Sequence, residues 1–135
     1  MDIITHAAVG LATGCAFGQP VAGVVAAVIA DAPLWDRRRY TKPPTGYDIT
    51  HSVQFWLLVG IWGEITTQSL VWLVAYGSHI FLDLFTHGKD WGPRLWYPDE
   101  KRYFYNSEWE WFNSSWWFGF HLALLWITIC LFIQL

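Results

Sequence analysis

His79, Asp83 and His87 recur at steps of four within the apolar stretch Ala75–Gly88. On an α-helix such positions share one face. Two imidazoles and a carboxylate would then line one edge of an otherwise apolar helix. Burying a carboxylate there is costly unless it is paired, and a divalent metal ion is an economical partner. The plainer alternative is a hydrogen-bonded His–Asp pair that ties helices together. The stretch alone leaves the two open.

The composition sets the surroundings. The chain has 135 residues, which suits one domain over residues 1–135. It is 54% hydrophobic and 19% aromatic, with eleven Trp, and only 14% of it is charged. Soluble domains carry about 25% charged residues, so the balance favours an integral or tightly associated membrane protein. The net charge of −3 gives no reason to expect general nucleic-acid binding. Cys15 and Cys130 lie in separate apolar stretches without metal-binding spacing and read as packing thiols, although a disulfide between them stays open. Asp2 and His6 interrupt the first apolar run and no basic segment precedes it, so a cleavable signal peptide is not expected.

The elements that must position the polar residues follow in order. Asp2–Phe17 reads as a first helix, ended by Gly18-Gln19-Pro20. Pro20 suits the first position of a second helix that runs to Asp31. A polar loop covers Asp31–Thr50 and holds Asp36 and Arg37–Arg39. Thr50 is expected to cap a third helix, His51–Ile61, with a turn around Gly60, Gly63 and Glu64. A fourth helix is expected over Ile65–Thr86, then a second polar loop over Lys89–Ser107. The last run, Ser114–Leu135, at about 21 residues, is the one segment long enough to span a bilayer simply. The shorter pairs around Pro20 and Gly63 read as re-entrant hairpins.

The expected fold is therefore all-α: a membrane-embedded bundle of about five helices with two polar loops on the same side. If successive helices run antiparallel, His6, Asp31, His51, His79, Asp83 and His87 share one end of the bundle. Glu108, Glu110 and His121 fall near the same end, at the start of the last helix. All eight Lys and Arg lie in Arg37–Lys42 and Lys89–Arg102, the two loops on that side. The positive-inside rule places it in the cytoplasm, and basic loops there could hold lipid phosphates near the site. This coincidence of position favours the metal over the plain His–Asp pair.

At this point the residues resemble a known family, the YdjM-like, LexA-regulated membrane-bound metal-dependent hydrolases. The matching pieces are Thr5-His6 with Gly10, Asp31 after an apolar helix, Thr50-His51-Ser52, and Gly77-Ser78-His79 with Asp83, Thr86 and Gly88. Pro93, Leu95-Trp96, Pro98 and then Ser107 with Glu110 continue the order. That family looks distantly similar to zinc-dependent phospholipase C and the S1/P1-type nucleases, helical enzymes that cleave phosphoric esters. The resemblance implies metal-ligand roles for His6, Asp31, His51, His79 and Asp83. It also implies a bacterial inner (cytoplasmic) membrane location and a hydrolase activity. The chain departs from the pattern in places. Ala30-Asp31-Ala32-Pro33 stands where the family has Pro-Asp-x-Asp, so Asp36 is the candidate for the second carboxylate. Gly46-Tyr47-Asp48 replaces a His-Arg-Gly, and His87 stands where the family often has Pro.

Three His and two Asp suit one or two divalent ions, zinc foremost. Such an ion acidifies a water molecule toward neutrality, and Asp31, Asp36 or Glu110 could take its proton. With His87, Asp36 and Glu110 complete the expected catalytic set. Membrane lipids and a phosphoester substrate are the expected partners. The competing reading is a non-catalytic protein whose metal staples four helices. A metal transporter would need polar residues through the whole depth, and the far half of the bundle offers little beyond Glu64.

Overall fold

The computed structural model describes residues 2–35, 40–99 and 116–133. Among them every regular element is helical. They are α1 (Ile3–Ala16), α2 (Pro20–Val28), a 3-10 segment (Ile29–Leu34), α3 (Thr45–Thr50), α4 (Val53–Thr67), α5 (Val71–Thr86) and α6 (Trp116–Ile133). The all-α expectation holds, with one short helix more than the five expected.

α5 is the hub and packs against α1, α2, α4 and α6. Its apolar residues feed three small cores. Leu82 meets Val9 of α1 and Ala123 of α6. Ala75 meets Ala26 and Ala27 of α2. Tyr76 and Ile80 meet Ala30, with Phe55, Trp56 and Val59 of α4 against them. The α1–α2 hairpin closes more tightly than any side chain at its seam would allow. A Cβ on Gly10 would collide with Ala27 and the Gly23 carbonyl, and one on Gly23 would collide with the Gly14 backbone. This close approach brings His6, near the start of α1, level with the residues that follow α2.

Several expected boundaries move, each for a visible reason. α4 runs through Gly60 and Gly63 without a turn. These glycines leave room for the next helix: Leu73 fills the space beside Gly60 and Trp72 the space beside Gly63. The turn comes instead at Gln68, in the left-handed region with φ 52°, so α5 starts at Val71 rather than near Ile65. Thr50 does not cap α4. Its hydroxyl donates to the Ala30 carbonyl at 2.7 Å, and the cap is Ser52, whose Oγ accepts from Phe55 N at 3.2 Å. His51 accordingly ends α3 instead of opening a long helix. Asp31 lies within the 3-10 segment and not on α2 itself.

The expected span Ser114–Leu135 lies partly outside the described residues. Among the described residues no helix is long and apolar enough to cross a membrane. The two free thiols also differ from each other: Cys130 is buried, whereas Cys15 is exposed.

Candidate metal centre

α5 supplies the axis of the site. His79 and Asp83 are completely buried on its inward face. His87 falls one position past the helix, in extended conformation, as its C-cap. It nevertheless reaches back, and its Nε2 lies 3.2 Å from Asp83 Oδ1. His6 arrives from α1, with Nε2 3.1 Å from the same oxygen. His51 arrives from the end of α3, with Nε2 3.3 Å from Asp83 Oδ2, and His79 Nε2 lies 3.2 Å from that oxygen. Asp31 Oδ1 stands 3.7 Å from the Nε2 atoms of both His51 and His79. All five residues expected as ligands thus meet at one point, and His87 joins them.

Backbone carbonyls fix which nitrogen of each ring faces inward. A carbonyl oxygen only accepts, so a ring nitrogen beside it must carry the proton. His51 Nδ1 donates to the Tyr47 carbonyl at 2.9 Å, and His79 Nδ1 donates to the Ala27 carbonyl. Ala27 lies in the last turn of α2, and the Tyr47 carbonyl also accepts from the His51 backbone N–H at 2.9 Å. In neutral rings Nε2 is then a lone pair. The Nε2 atoms of His51 and His79 face each other at 3.0 Å, with two carboxylates behind them. Acceptors crowd acceptors here, and a cation resolves the conflict. The spacing is close to the ~3.3 Å expected for two imidazole nitrogens on one tetrahedral zinc at Zn–N of about 2.0–2.1 Å. Anchoring Nδ1 on a carbonyl is also the usual way to orient a metal-bound histidine. The donor set therefore fits a divalent ion.

The electrostatics agree. α2 and α5 both end at the site, and helix C-termini favour cations. Burial opposes the charge on Asp83, but the positive groups around it prevail, His87, His79 and His6 among them, and hold its carboxyl well below the usual range. Burial, helped by His79, pushes His6 well down despite Asp83. Burial likewise outweighs Asp83 at His87 and lowers it. At His79 burial also lowers, yet the charges of Asp83 and Asp31 and a hydrogen bond to Asp83 win and raise it.

A ring of supporting contacts holds these side chains. The Tyr47 ring stacks on His51 with centroids 3.7 Å apart, and its hydroxyl donates to the Trp91 carbonyl at 3.1 Å. His6 stacks on His79, also at 3.7 Å. Tyr76 donates to the Thr50 carbonyl at 2.7 Å. Tyr47 and His51 stand at i and i+4 on α3, a spacing that could have signalled the pair. Val53 N donates to the Leu95 carbonyl at 2.9 Å, which lays the loop after α5 over the same end. Arg94 in that loop pairs with buried Asp48 of α3 at 3.3 Å.

Other expected residues fall elsewhere. Asp36, Glu108 and Glu110 lie outside the described residues. His121 is exposed on α6 and rests against Phe120. Thr5, part of the matching pattern, serves as a helix-start residue: its backbone N–H and its hydroxyl both donate to the Asp2 carboxylate at 2.9 Å.

The outer surface is rich in apolar residues. Leu57, Leu58, Ile61, Trp62 and Ile65 form an exposed stripe along α4, and Leu124, Leu125, Ile129 and Phe132 another on α6. An apolar-coated helical bundle with a buried His/Asp cluster at one end defines the class: a membrane-associated helical protein with a metal-site donor set. The chain belongs to the YdjM inner membrane protein family, whose model matches residues 1–135. It is thus an inner-membrane protein. No curated protein and no solved structure matches it, so the expected distant likeness to phospholipase C and the S1/P1-type nucleases is not shown.

Proposed function

We propose that this protein is a metal-dependent hydrolase of phosphoric esters, acting on a phospholipid or other lipid-linked phosphodiester at the membrane boundary. The facing Nε2 atoms of His51 and His79 at 3.0 Å, with Asp83 and Asp31 beside them, carry the reading, because a divalent cation among these donors would relieve the contact. His51, His79, Asp83, Asp31 and His6 would hold the ion. When bound, a divalent ion such as zinc supplies an acidified water and neutralises charge on a phosphoryl group.

The chain's own residues supply the rest. Asp31 and His87 are the exposed members of the cluster, with side chains 14% and 18% accessible. They mark the mouth through which a headgroup would enter. Asp31 is placed to accept a proton from water there, and Asp36 and Glu110 remain candidates for the same task. Lys42 and Lys89 are exposed in the two polar loops and would favour an anionic lipid surface. The cytoplasmic orientation of these loops belongs to the same proposal.

A second reading has its own support. His6, His51, His79 and Asp83 are all essentially sealed from solvent, as suits a structural ion that staples α1, α3 and α5. One experiment separates the two. Protein purified in detergent is analysed for bound metals, then offered phospholipid vesicles and a chromogenic phosphodiester, with His79→Ala as control. Metal together with hydrolysis lost in the variant supports the enzyme. Metal that raises thermal stability without any hydrolysis supports the staple, and absence of metal overturns both.

A further inference from the structure

The two oxygens of Asp83 face different partners. Oδ2 lies 3.3 Å and 3.2 Å from the Nε2 atoms of His51 and His79. Oδ1 lies 3.1 Å and 3.2 Å from those of His6 and His87. One carboxylate thus separates two pairs of imidazoles, one pair on each oxygen.

A single ion does not use this arrangement. Protein zinc sites are almost always four-coordinate, whereas six side chains converge here. The Oδ2 side is complete by itself: His51, His79 and Asp83, with Asp31 3.7 Å from both imidazoles, make four donors. That leaves His6 and His87 with the second oxygen of Asp83. Hydrogen bonds alone do not account for this half. The other nitrogen of the His6 ring, Nδ1, is buried without a partner. Nothing anchors that ring as the carbonyls anchor His51 and His79, except its stacking on His79 and its approach to Asp83. Two imidazole Nε2 atoms within 3.2 Å of one carboxylate oxygen are a donor set that a cation would gather.

We propose that Asp83 bridges two divalent cations, one held on Oδ2 by His51, His79 and Asp31, the other on Oδ1 by His6 and His87. This rests on the reading of the cluster as a metal centre and specifies its nuclearity. The two positions differ in kind. The first has four protein donors. The second has three, and one of them, His87, is at the solvent-facing mouth, so it keeps a place for water or a phosphoryl oxygen. Three protein ligands with one open position are the pattern of catalytic ions, and paired ions about 3.5–4 Å apart suit phosphoester displacement. Asp31 also comes within 4.8 Å of donor atoms on both His6 and His79, at the boundary between the two positions.

The intact chain in detergent micelles, stripped and reloaded with Mn²⁺, tests this. The wild type should bind two ions per chain and give the exchange-coupled electron paramagnetic resonance pattern of a bridged pair. His87→Ala should bind one ion and give the six-line pattern of isolated Mn²⁺. Circular dichroism checks that the variant stays folded, and if it does not, the wild-type stoichiometry and coupling decide alone. One ion in the wild type overturns the paired centre and leaves the metal reading standing. Two uncoupled ions overturn the Asp83 bridge, and two coupled ions in folded His87→Ala overturn the role of His87. No ion in the wild type overturns the metal reading itself.

Discussion

His51 Nε2 and His79 Nε2 approach to 3.0 Å although each ring already spends its Nδ1 proton on a backbone carbonyl. The Ala27 carbonyl near the end of α2 and the Tyr47 carbonyl of α3 therefore turn two Nε2 atoms toward one point. The consequence can be measured at each of the residues that maintain the arrangement.

Removing an axial donor should empty the site. His79→Ala and Asp83→Ala should each lower bound metal by at least 10–100-fold in affinity, because each deletes a donor that faces the cluster and not merely a supporting contact. Elemental analysis of the purified variants is the check. Full metal retention in both would sink the centre described above.

The α1–α2 seam should control the site from a distance. Gly23→Ala places a methyl group against the Gly10 carbonyl and the Gly14 backbone, which cannot yield as a flexible side chain would. A cost of about 1–3 kcal/mol is expected from such overpacking. His6 and Asp31 sit on opposite arms of this hairpin, so the metal affinity should fall together with the melting temperature. A variant that melts lower but binds metal as tightly as the wild type would show that the seam and the site are independent.

Metal uptake should depend on pH through His79. Its imidazole is held above the ordinary range, whereas His6 and His87 are pushed below it. Among these three, His79 is thus the candidate ligand that holds its proton most firmly. A metal competes with that proton, so affinity should rise as pH climbs through the His79 value and fall as pH drops. The sign reverses for the metal-free protein: the attraction of protonated His79 for Asp83 is fully present at low pH and fades as pH rises through the raised value. Titration calorimetry in two buffers of different ionisation enthalpy should report about one proton released per metal-binding event. Affinity that is flat between pH 6 and 8 would contradict this assignment.

Arg94 should matter for stability more than for metal binding. It pairs with Asp48 at 3.3 Å and fastens the loop after α5 to α3, the helix that ends in His51. Arg94→Ala should cost on the order of 2 kcal/mol. That is below the ~3–5 expected for a fully buried pair, because 26% of the Arg94 side chain reaches solvent. Chemical denaturation with metal bound and removed gives the comparison. An unchanged midpoint in both states would assign the pair no structural role.

The candidate ligand residues were readable in the sequence because they are polar groups in an apolar chain. His6, Asp31, His51, His79 and Asp83 stood out as residues that burial would penalise, and the alternation of helix directions put them at one end. The same reasoning misjudged the turn at Gly60 and Gly63. Glycine reads as a break by composition, but in α4 it makes room for Leu73 and Trp72 of the neighbouring helix. That is a property of the partner, which no local pattern contains. The capping role expected of Thr50 failed for a related reason, since its hydroxyl is taken by the Ala30 carbonyl, twenty residues away in sequence.

His87 shows the division most clearly. By periodicity it was the third member of a helical face, and α5 ends one residue before it. The chain then turns to extended conformation and still delivers Nε2 to Asp83 Oδ1. The sequence by itself determined which side chains could bind a cation and that helices would gather them, since burial cost and spacing are local properties. Only the tertiary structure decided that each oxygen of Asp83 serves its own pair of imidazoles. That division depends on which way each ring is turned, and His51 and His79 are turned by the carbonyls of Tyr47 and Ala27.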